Sequence, residues 1–277
     1  MAIVFALVSA VLYGVSDYAG GRASRYAAAM SVTLLSEVVI LGGLLVVVPL
    51  LGDPLAPARD LGWGGLAGVA GVVGIVALYY ALANGAMTVV APITGVVAAG
   101  VPVVVGLILG ERPGVLALVG IGTAVLAVAL VGGAVGVPHV PTPARLVMIA
   151  LVSGAGFGML FVCYSRTGDG SGLWPLLAAR TTSLPLLLLA FAVRRPHWSM
   201  PAVAAWLAVA VGILATTANA SYLAATRRGL LSVVAVVASM YPASTVLLAT
   251  VLDGERLRRP QLVGIVLVVA ALILVTV

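Results

Sequence analysis

Apolar residues in this 277-residue chain gather into ten stretches of about 20 residues, and no other feature limits the possible fold so strongly. Arg, Asp, Gly and Pro collect in the breaks between them. A helix of about 20 residues spans a hydrocarbon core of roughly 30 Å, because each helical residue rises about 1.5 Å. We therefore predict an all-α integral membrane protein with ten transmembrane helices. The stretches are 2–20, 27–51, 61–83, 86–109, 114–135, 146–165, 173–193, 200–223, 229–252 and 260–277.

The composition excludes a soluble alternative. Hydrophobic residues make up 63% of the chain and charged residues only 8%, whereas soluble domains carry roughly 25% charged residues. The net charge of +6 does not indicate a nucleic-acid partner, because the 14 basic residues, all Arg, lie almost entirely in short loops or at helix ends. Anionic lipid headgroups are the expected partners of such arginines. The weak alternation of polar and apolar residues argues against a transmembrane β-barrel.

Two parts of the chain repeat each other at an offset of 144 residues. GERPGVLALVGIGTAVLAVALV at 110–131 and GERLRRPQLVGIVLVVAALILV at 254–275 agree at 11 of 22 positions without a gap. The same offset aligns GAMTVVA at 85–91 with GLLSVVA at 229–235. We infer a tandem duplication of one ancestral unit.

The duplication predicts how the chain is divided. Residues 1–135 form the first five-helix repeat, 136–145 a linker loop that contains three prolines, and 146–277 the second repeat. Because five is odd, the second repeat must enter the bilayer in the opposite orientation. Two inverted repeats around a central cavity are typical of secondary transporters, where a site near the membrane midplane opens to either side in turn.

The repeated GER element, followed each time by a short loop and a Leu-Val-Gly-rich fifth helix, resembles the drug/metabolite transporter superfamily and, within it, the bacterial EamA-domain permeases. The resemblance covers essentially the whole chain. It implies a ten-helix exporter of amino acids, drugs or other small metabolites in the bacterial inner membrane, with a central cavity lined by both repeats. It also implies cytoplasmic termini. The arginine bias indicates the opposite orientation, since loops after odd-numbered helices carry eight arginines and the others carry five. We follow the resemblance.

Three ionisable residues, Asp17, Glu37 and Arg180, fall inside apolar stretches. Each would cost roughly 2.5–3.5 kcal/mol at a lipid-facing helix centre, so we expect them to face a cavity or a partner. The 144-residue offset carries Arg180 to Ser36, beside Glu37. The two can form an intramembrane ion pair. Alternatively they flank the cavity, with Arg180 holding a substrate carboxylate and Glu37 an ammonium group or a coupling proton.

Polar and aromatic residues at helical spacing extend the predicted cavity wall. Ser16 and Asp17 share a helix face with Tyr13, and Thr33 lies one turn before Glu37. The remaining candidates for the wall are Tyr80, Asn84, Asn219 and Tyr222.

Three prolines inside apolar stretches, Pro92, Pro102 and Pro242, are predicted to form hinges or gates, because proline removes a helix hydrogen bond. Pro242 precedes Glu255 by 13 residues, whereas Pro102 precedes Glu111 by 9, so any kink should differ between the repeats. We interpret the GER elements themselves as interfacial loop anchors.

These features predict a secondary active transporter that exports small organic solutes by alternating access, coupled to protons and functional as a monomer. The sequence contains no GxxxxGK[ST] stretch, which excludes an ATP-driven pump formed by this chain alone. We expect no cofactor and no metal, since His139 and His197 lie in Pro-containing loops. A lipid flippase or scramblase is the alternative. An intramembrane enzyme is disfavoured because the carboxylates are scattered singly.

Overall fold

The computed structural model describes residues 1–84, 87–131, 143–194, 198–253 and 258–276. Most of the predicted linker lies outside these ranges, as do His139, His197 and the second GER element with Glu255. The side chains of Asn84 and Pro92 also lie outside the described part of the structure.

Eleven α-helices and one 3-10 turn, Asp169–Ser171, make up the regular structure of the described ranges. Helices satisfy every backbone polar group within one segment, which an apolar sequence in lipid requires. The helices are α1 (Ala2–Ala23), α2 (Ala29–Leu51), α3 (Ala58–Asn84), α4 (Met87–Ile108), α5 (Val115–Val131), α6 (Ala144–Ser165), α7 (Trp174–Arg194), α8 (Ala202–Thr226), α9 (Leu231–Ala238), α10 (Tyr241–Asp253) and α11 (Arg259–Thr276).

Seven helical segments of the described chain are long and apolar enough to cross a membrane, the α9–α10 segment counting as one. Three shorter apolar helices, 93–108, 115–131 and 259–275, accompany them. The all-helical membrane fold is therefore confirmed. Ten crossings and an inverted second repeat remain predictions.

The ninth predicted helix is broken into α9 and α10. Proline has no N–H, and its ring collides with the carbonyl four residues earlier, which for Pro242 is that of Ala238. Accordingly α9 ends at Ala238 and α10 begins at Tyr241. In the first half, α4 continues without interruption through Pro102, which is fully buried. The two prolines thus have different effects on their helices, as their different spacing from the GER elements indicated.

The two halves pack on each other in a reciprocal way. Helix α1 packs on α8 and α10, and its counterpart α6 packs on α3 and α4. Gly14 of α1 lies against Tyr241 and Ser244 of α10, while Gly158, 144 residues later, lies against Ala98 and Val101 of α4. Small residues at these crossings let the helix backbones approach closely. Each half therefore buries its helices mainly against the other half.

Contacts between helix ends define one face of the molecule, here called the N-terminal face. It comprises the start of α1 and the α2–α3, α4–α5, α6–α7 and α8–α9 connections. The Arg228 guanidinium lies 5.2 Å from the ring centre of Phe5, and Arg227 donates a hydrogen bond of 2.9 Å to the Gly172 carbonyl.

The opposite face holds the C-terminal ends of α1, α3, α7 and α10. There Arg22 forms an ion pair of 2.5 Å with Asp253. The Tyr80 ring lies 5.8 Å from the guanidinium carbon of Arg145 and 5.5 Å from that of Arg194.

Candidate functional site

A cavity of about 460 Å³ lies between the two halves. Residues of α1, α2, α3, α6, α7 and α8 form most of its wall, and α4 and α10 contribute one residue each. Most of the wall is apolar. Its polar and aromatic residues are Tyr13, Ser16, Asp17, Ser24, Thr33, Ser36, Glu37, Phe157, Phe161, Tyr164, Arg180, Ser183, Asn219 and Tyr241.

A buried ion pair stands in the cavity wall between α2 and α7. Arg180 Nη1 lies 2.5 Å from Glu37 Oε1, and the Ser183 hydroxyl donates a hydrogen bond of 2.8 Å to Glu37 Oε2. Ser183 lies three residues after Arg180 and therefore on the same face of α7. Both carboxylate oxygens thus have a donor from one helix. Of the two arrangements that the sequence allowed, the structure has the ion pair, and both partners also line the cavity.

Three polar atoms of the wall have no hydrogen-bond partner among the described residues. They are Arg180 Nε, the Tyr164 hydroxyl and Asn219 Oδ1. Tyr164 is 0% exposed and Asn219 is 2% exposed. Buried polar groups nearly always have a partner, because an unpaired one costs roughly 1–3 kcal/mol. Two potential donors and one acceptor of wall residues therefore remain without a partner in the described structure.

Asp17 differs from Glu37 in its surroundings. Asp17 is exposed and lines the cavity, and its carboxylate makes no hydrogen bond or ion pair with the described residues. Tyr13, one turn earlier on α1, and Tyr241, at the start of α10, line the same region, with ring centres 6.2 Å apart. A carboxylate beside aromatic rings is suited to an organic ammonium group.

The structure brings most of the predicted wall residues together. Those that line the cavity are Tyr13, Ser16, Asp17, Thr33, Glu37, Arg180 and Asn219. Two of them also make hydrogen bonds to backbone carbonyls. Ser16 donates to the Val211 carbonyl of α8, and the Asn219 amide donates to the Ala215 carbonyl of its own helix.

Two predicted wall residues lie elsewhere. Tyr222 is fully buried behind the wall, where its hydroxyl donates a hydrogen bond of 3.3 Å to the Phe161 carbonyl. Tyr80 lies at the opposite face between two arginines instead of in the cavity. In both cases the residue lies on a polar stripe of its own helix, but a stripe does not tell which neighbouring helix covers it.

Several wall residues were missed by the sequence analysis. Phe157 occupies the position equivalent to Tyr13 at the 144-residue offset, and both line the cavity. The repeat was therefore sufficient to predict Phe157 as a wall residue. Ser183 was detectable from its spacing to Arg180. Tyr164 and Tyr241 have no local signal, because their place in the wall depends on packing between the two halves.

Comparison with known proteins gives a family match and matches to solved structures. The model of the EamA-like transporter family matches residues 1–133 and 144–277. A solved structure described only as "Crystal structure of protein" is similar with a TM-score of 0.81 and 16% identity, covering 99% of this chain and 96% of that one. At this identity the likeness demonstrates a shared fold alone. No curated protein sequence matches significantly.

Proposed function

Because the chain belongs to the EamA-like transporter family, a family of membrane transporters and not of enzymes, we propose that it is a secondary active transporter that exports small organic solutes by alternating access. The observation that carries the proposal is the cavity between the two halves, whose wall holds a buried ion pair and unpaired polar groups. A pocket of this size lies in the usual range for small-molecule sites, roughly 300–1,000 Å³.

The proposed architecture has ten crossings in two inverted repeats, residues 1–135 and 146–277, joined by the linker 136–145. Reciprocal packing supports it, because the packing of α1 on α8, α9 and α10 has its counterpart in the packing of α6 on α3 and α4. If each half adopted the packing arrangement now present in the other half, the cavity would open to the opposite face of the membrane. We further propose that the protein acts as a monomer in the bacterial inner membrane, with both termini in the cytoplasm.

The wall chemistry favours a zwitterionic solute such as an amino acid or a related metabolite. Arg180 Nε and the Tyr164 hydroxyl can donate to a carboxylate, while Asp17 with Tyr13 and Tyr241 can accept an ammonium group. The apolar remainder of the wall suits an apolar substituent. A cationic drug is the second candidate, since Asp17 and its aromatic neighbours would bind it without help from Arg180.

Proton coupling requires a carboxyl group that can gain and lose its charge during the cycle. Glu37 would have to give up the Arg180 ion pair on protonation, whereas Asp17 has no described ion partner to lose. This difference favours Asp17 over Glu37 as the site of the coupling proton.

The test is transport by the purified protein in proteoliposomes, with amino acids and cationic dyes offered with and without a pH gradient. We expect the gradient to accelerate flux of at least one zwitterionic solute above the level of protein-free liposomes. Flux of labelled phospholipid with no flux of any soluble compound would contradict the proposal and favour a lipid flippase or scramblase.

A further inference from the structure

The first GER element contributes a contact that its interpretation as a loop anchor does not explain. Glu111 Oε1 accepts a hydrogen bond of 2.6 Å from the Leu231 backbone N–H, and Oε2 accepts one of 2.9 Å from the Ser232 N–H. Glu111 belongs to the α4–α5 connection in the first half, and α9 begins with Leu231 in the second. The carboxylate therefore joins the two halves at the N-terminal face.

The start of α9 has a particular need for such a partner. The first N–H groups of a helix have no acceptor inside the helix, and the helix dipole makes this end favourable for a negative charge. The residue before α9 is Leu230, whose side chain cannot supply a cap hydrogen bond. Glu111 thus provides, from the other half, the cap that the local sequence lacks.

Two glycines before Glu111 give the backbone conformation and the space that this contact requires. Gly110 has a φ of +90°, a conformation that glycine adopts without strain, and the Glu111 N–H then donates to the Gly106 carbonyl at 3.0 Å. A Cβ added to Gly106 would lie 2.5 Å from Glu111 Oε2. Gly106 therefore leaves the space that the carboxylate occupies.

Other contacts between the halves close the same face. The Asp60 carboxylate of α3 accepts a hydrogen bond of 2.9 Å from the Gly168 N–H and one from the Ser171 hydroxyl in the α6–α7 connection. The Trp174 indole N–H donates to the Asp53 carbonyl at 3.4 Å.

The position of the cavity agrees with a closed N-terminal face. None of its described lining residues comes from the connections of the N-terminal face. At the other end, Ser24 and Ala29, which flank the α1–α2 connection, both line it. The structure therefore has its N-terminal face closed, and the Glu111 contact belongs to that closure.

We propose that Glu111 is a charged latch which holds the N-terminal face closed by capping α9 of the opposite repeat, and which must release when the cavity opens to that face. This role rests on the proposed alternating-access function. Loss of the negative charge weakens the cap and shifts the population toward the state open at the N-terminal face.

The first experiment measures access to the cavity. A single cysteine replaces Ala215 in the cavity wall of a Cys163→Ser background, and a membrane-impermeant thiol reagent is applied from the face where an N-terminal tag is exposed. We expect Glu111→Gln to raise the labelling rate about tenfold, the size of a partly buried helix-end charge effect. An unchanged rate would overturn the proposal.

Asp169→Asn is the matched control for loss of a negative charge on the same face. Asp169 is exposed in the α6–α7 connection, and no hydrogen bond joins it to α9 in the described structure. We expect the control to leave the labelling rate at the parent value. An equal rise in both variants would assign the effect to net charge and overturn the latch.

The second experiment replaces the latch by a covalent bond. A Cβ built on Gly106 lies 3.4 Å from Ser232 Cβ, close to the separation of about 3.5–4.5 Å in disulfides. We expect oxidation of Gly106→Cys/Ser232→Cys, also in the Cys163→Ser background, to stop transport, and reduction to restore it. Undiminished transport by the oxidised protein would show that this face need not open there.

The two experiments also separate the latch from the proposed function. If the parent protein carries no solute at all, the transport proposal fails, yet labelling from the N-terminal face still reports whether Glu111 controls access to the cavity.

Discussion

Arg180→Gln is expected to lower the free energy of unfolding by about 3–5 kcal/mol, because it leaves the Glu37 carboxylate buried without its charge partner. Glu37→Gln should cost a similar amount for the same reason. The double variant should cost clearly less than the sum, since no unpaired charge remains. Reversible unfolding of the four proteins in mixed micelles gives the comparison as a double-mutant cycle. Strictly additive costs would contradict a coupled pair at this site.

The same Arg180 variant separates the two classes of solute. Transport of carboxylate-bearing compounds in proteoliposomes should collapse, because the guanidinium donor for the carboxylate is gone. Export of purely cationic compounds should survive wherever the variant is folded. Equal loss for both classes, in protein that still unfolds cooperatively, would mean that Arg180 acts through the structure and not through the solute.

Asp17→Asn should abolish the response of transport to a pH gradient while leaving exchange of labelled for unlabelled solute across the membrane. Asparagine keeps the size and polarity of the side chain but carries no titratable proton. The matched variant is Glu37→Gln, whose wild-type carboxylate is held by Arg180 and Ser183. Where this variant folds, it should keep the response to the gradient. Loss of that response in Glu37→Gln together with its retention in Asp17→Asn would reverse the assignment.

The sequence was sufficient to predict where the helices lie and which charged residues fall inside them. Apolar runs of membrane length fix the helix positions because lipid leaves the backbone no other way to satisfy its hydrogen bonds. The break between α9 and α10 lies next to Pro242, where a proline inside a helix was expected to act. The repeat places Glu37 and Arg180 at equivalent depths, so an ion pair between them was one of the two arrangements that the sequence allowed.

The sequence was less informative about which helix faces meet. Tyr222 and Tyr80 belong to polar stripes, yet one lies behind Phe161 and the other against Arg145 and Arg194. The sequence predicted only a loop anchor for Glu111. Its partners are backbone N–H groups, and such contacts cannot be recognised from the side chains that a sequence specifies. Such contacts depend on how one half packs against the other, and neither half contains that information alone.

Inversion of the two repeats is the central claim, and equivalent positions in them test it most directly. Tyr26 and Gly170 are 144 residues apart, and both are exposed. We expect single cysteines at these two positions, in a Cys163→Ser background, to react with an impermeant thiol reagent from opposite faces of the membrane. Labelling of both from the same face would contradict the account.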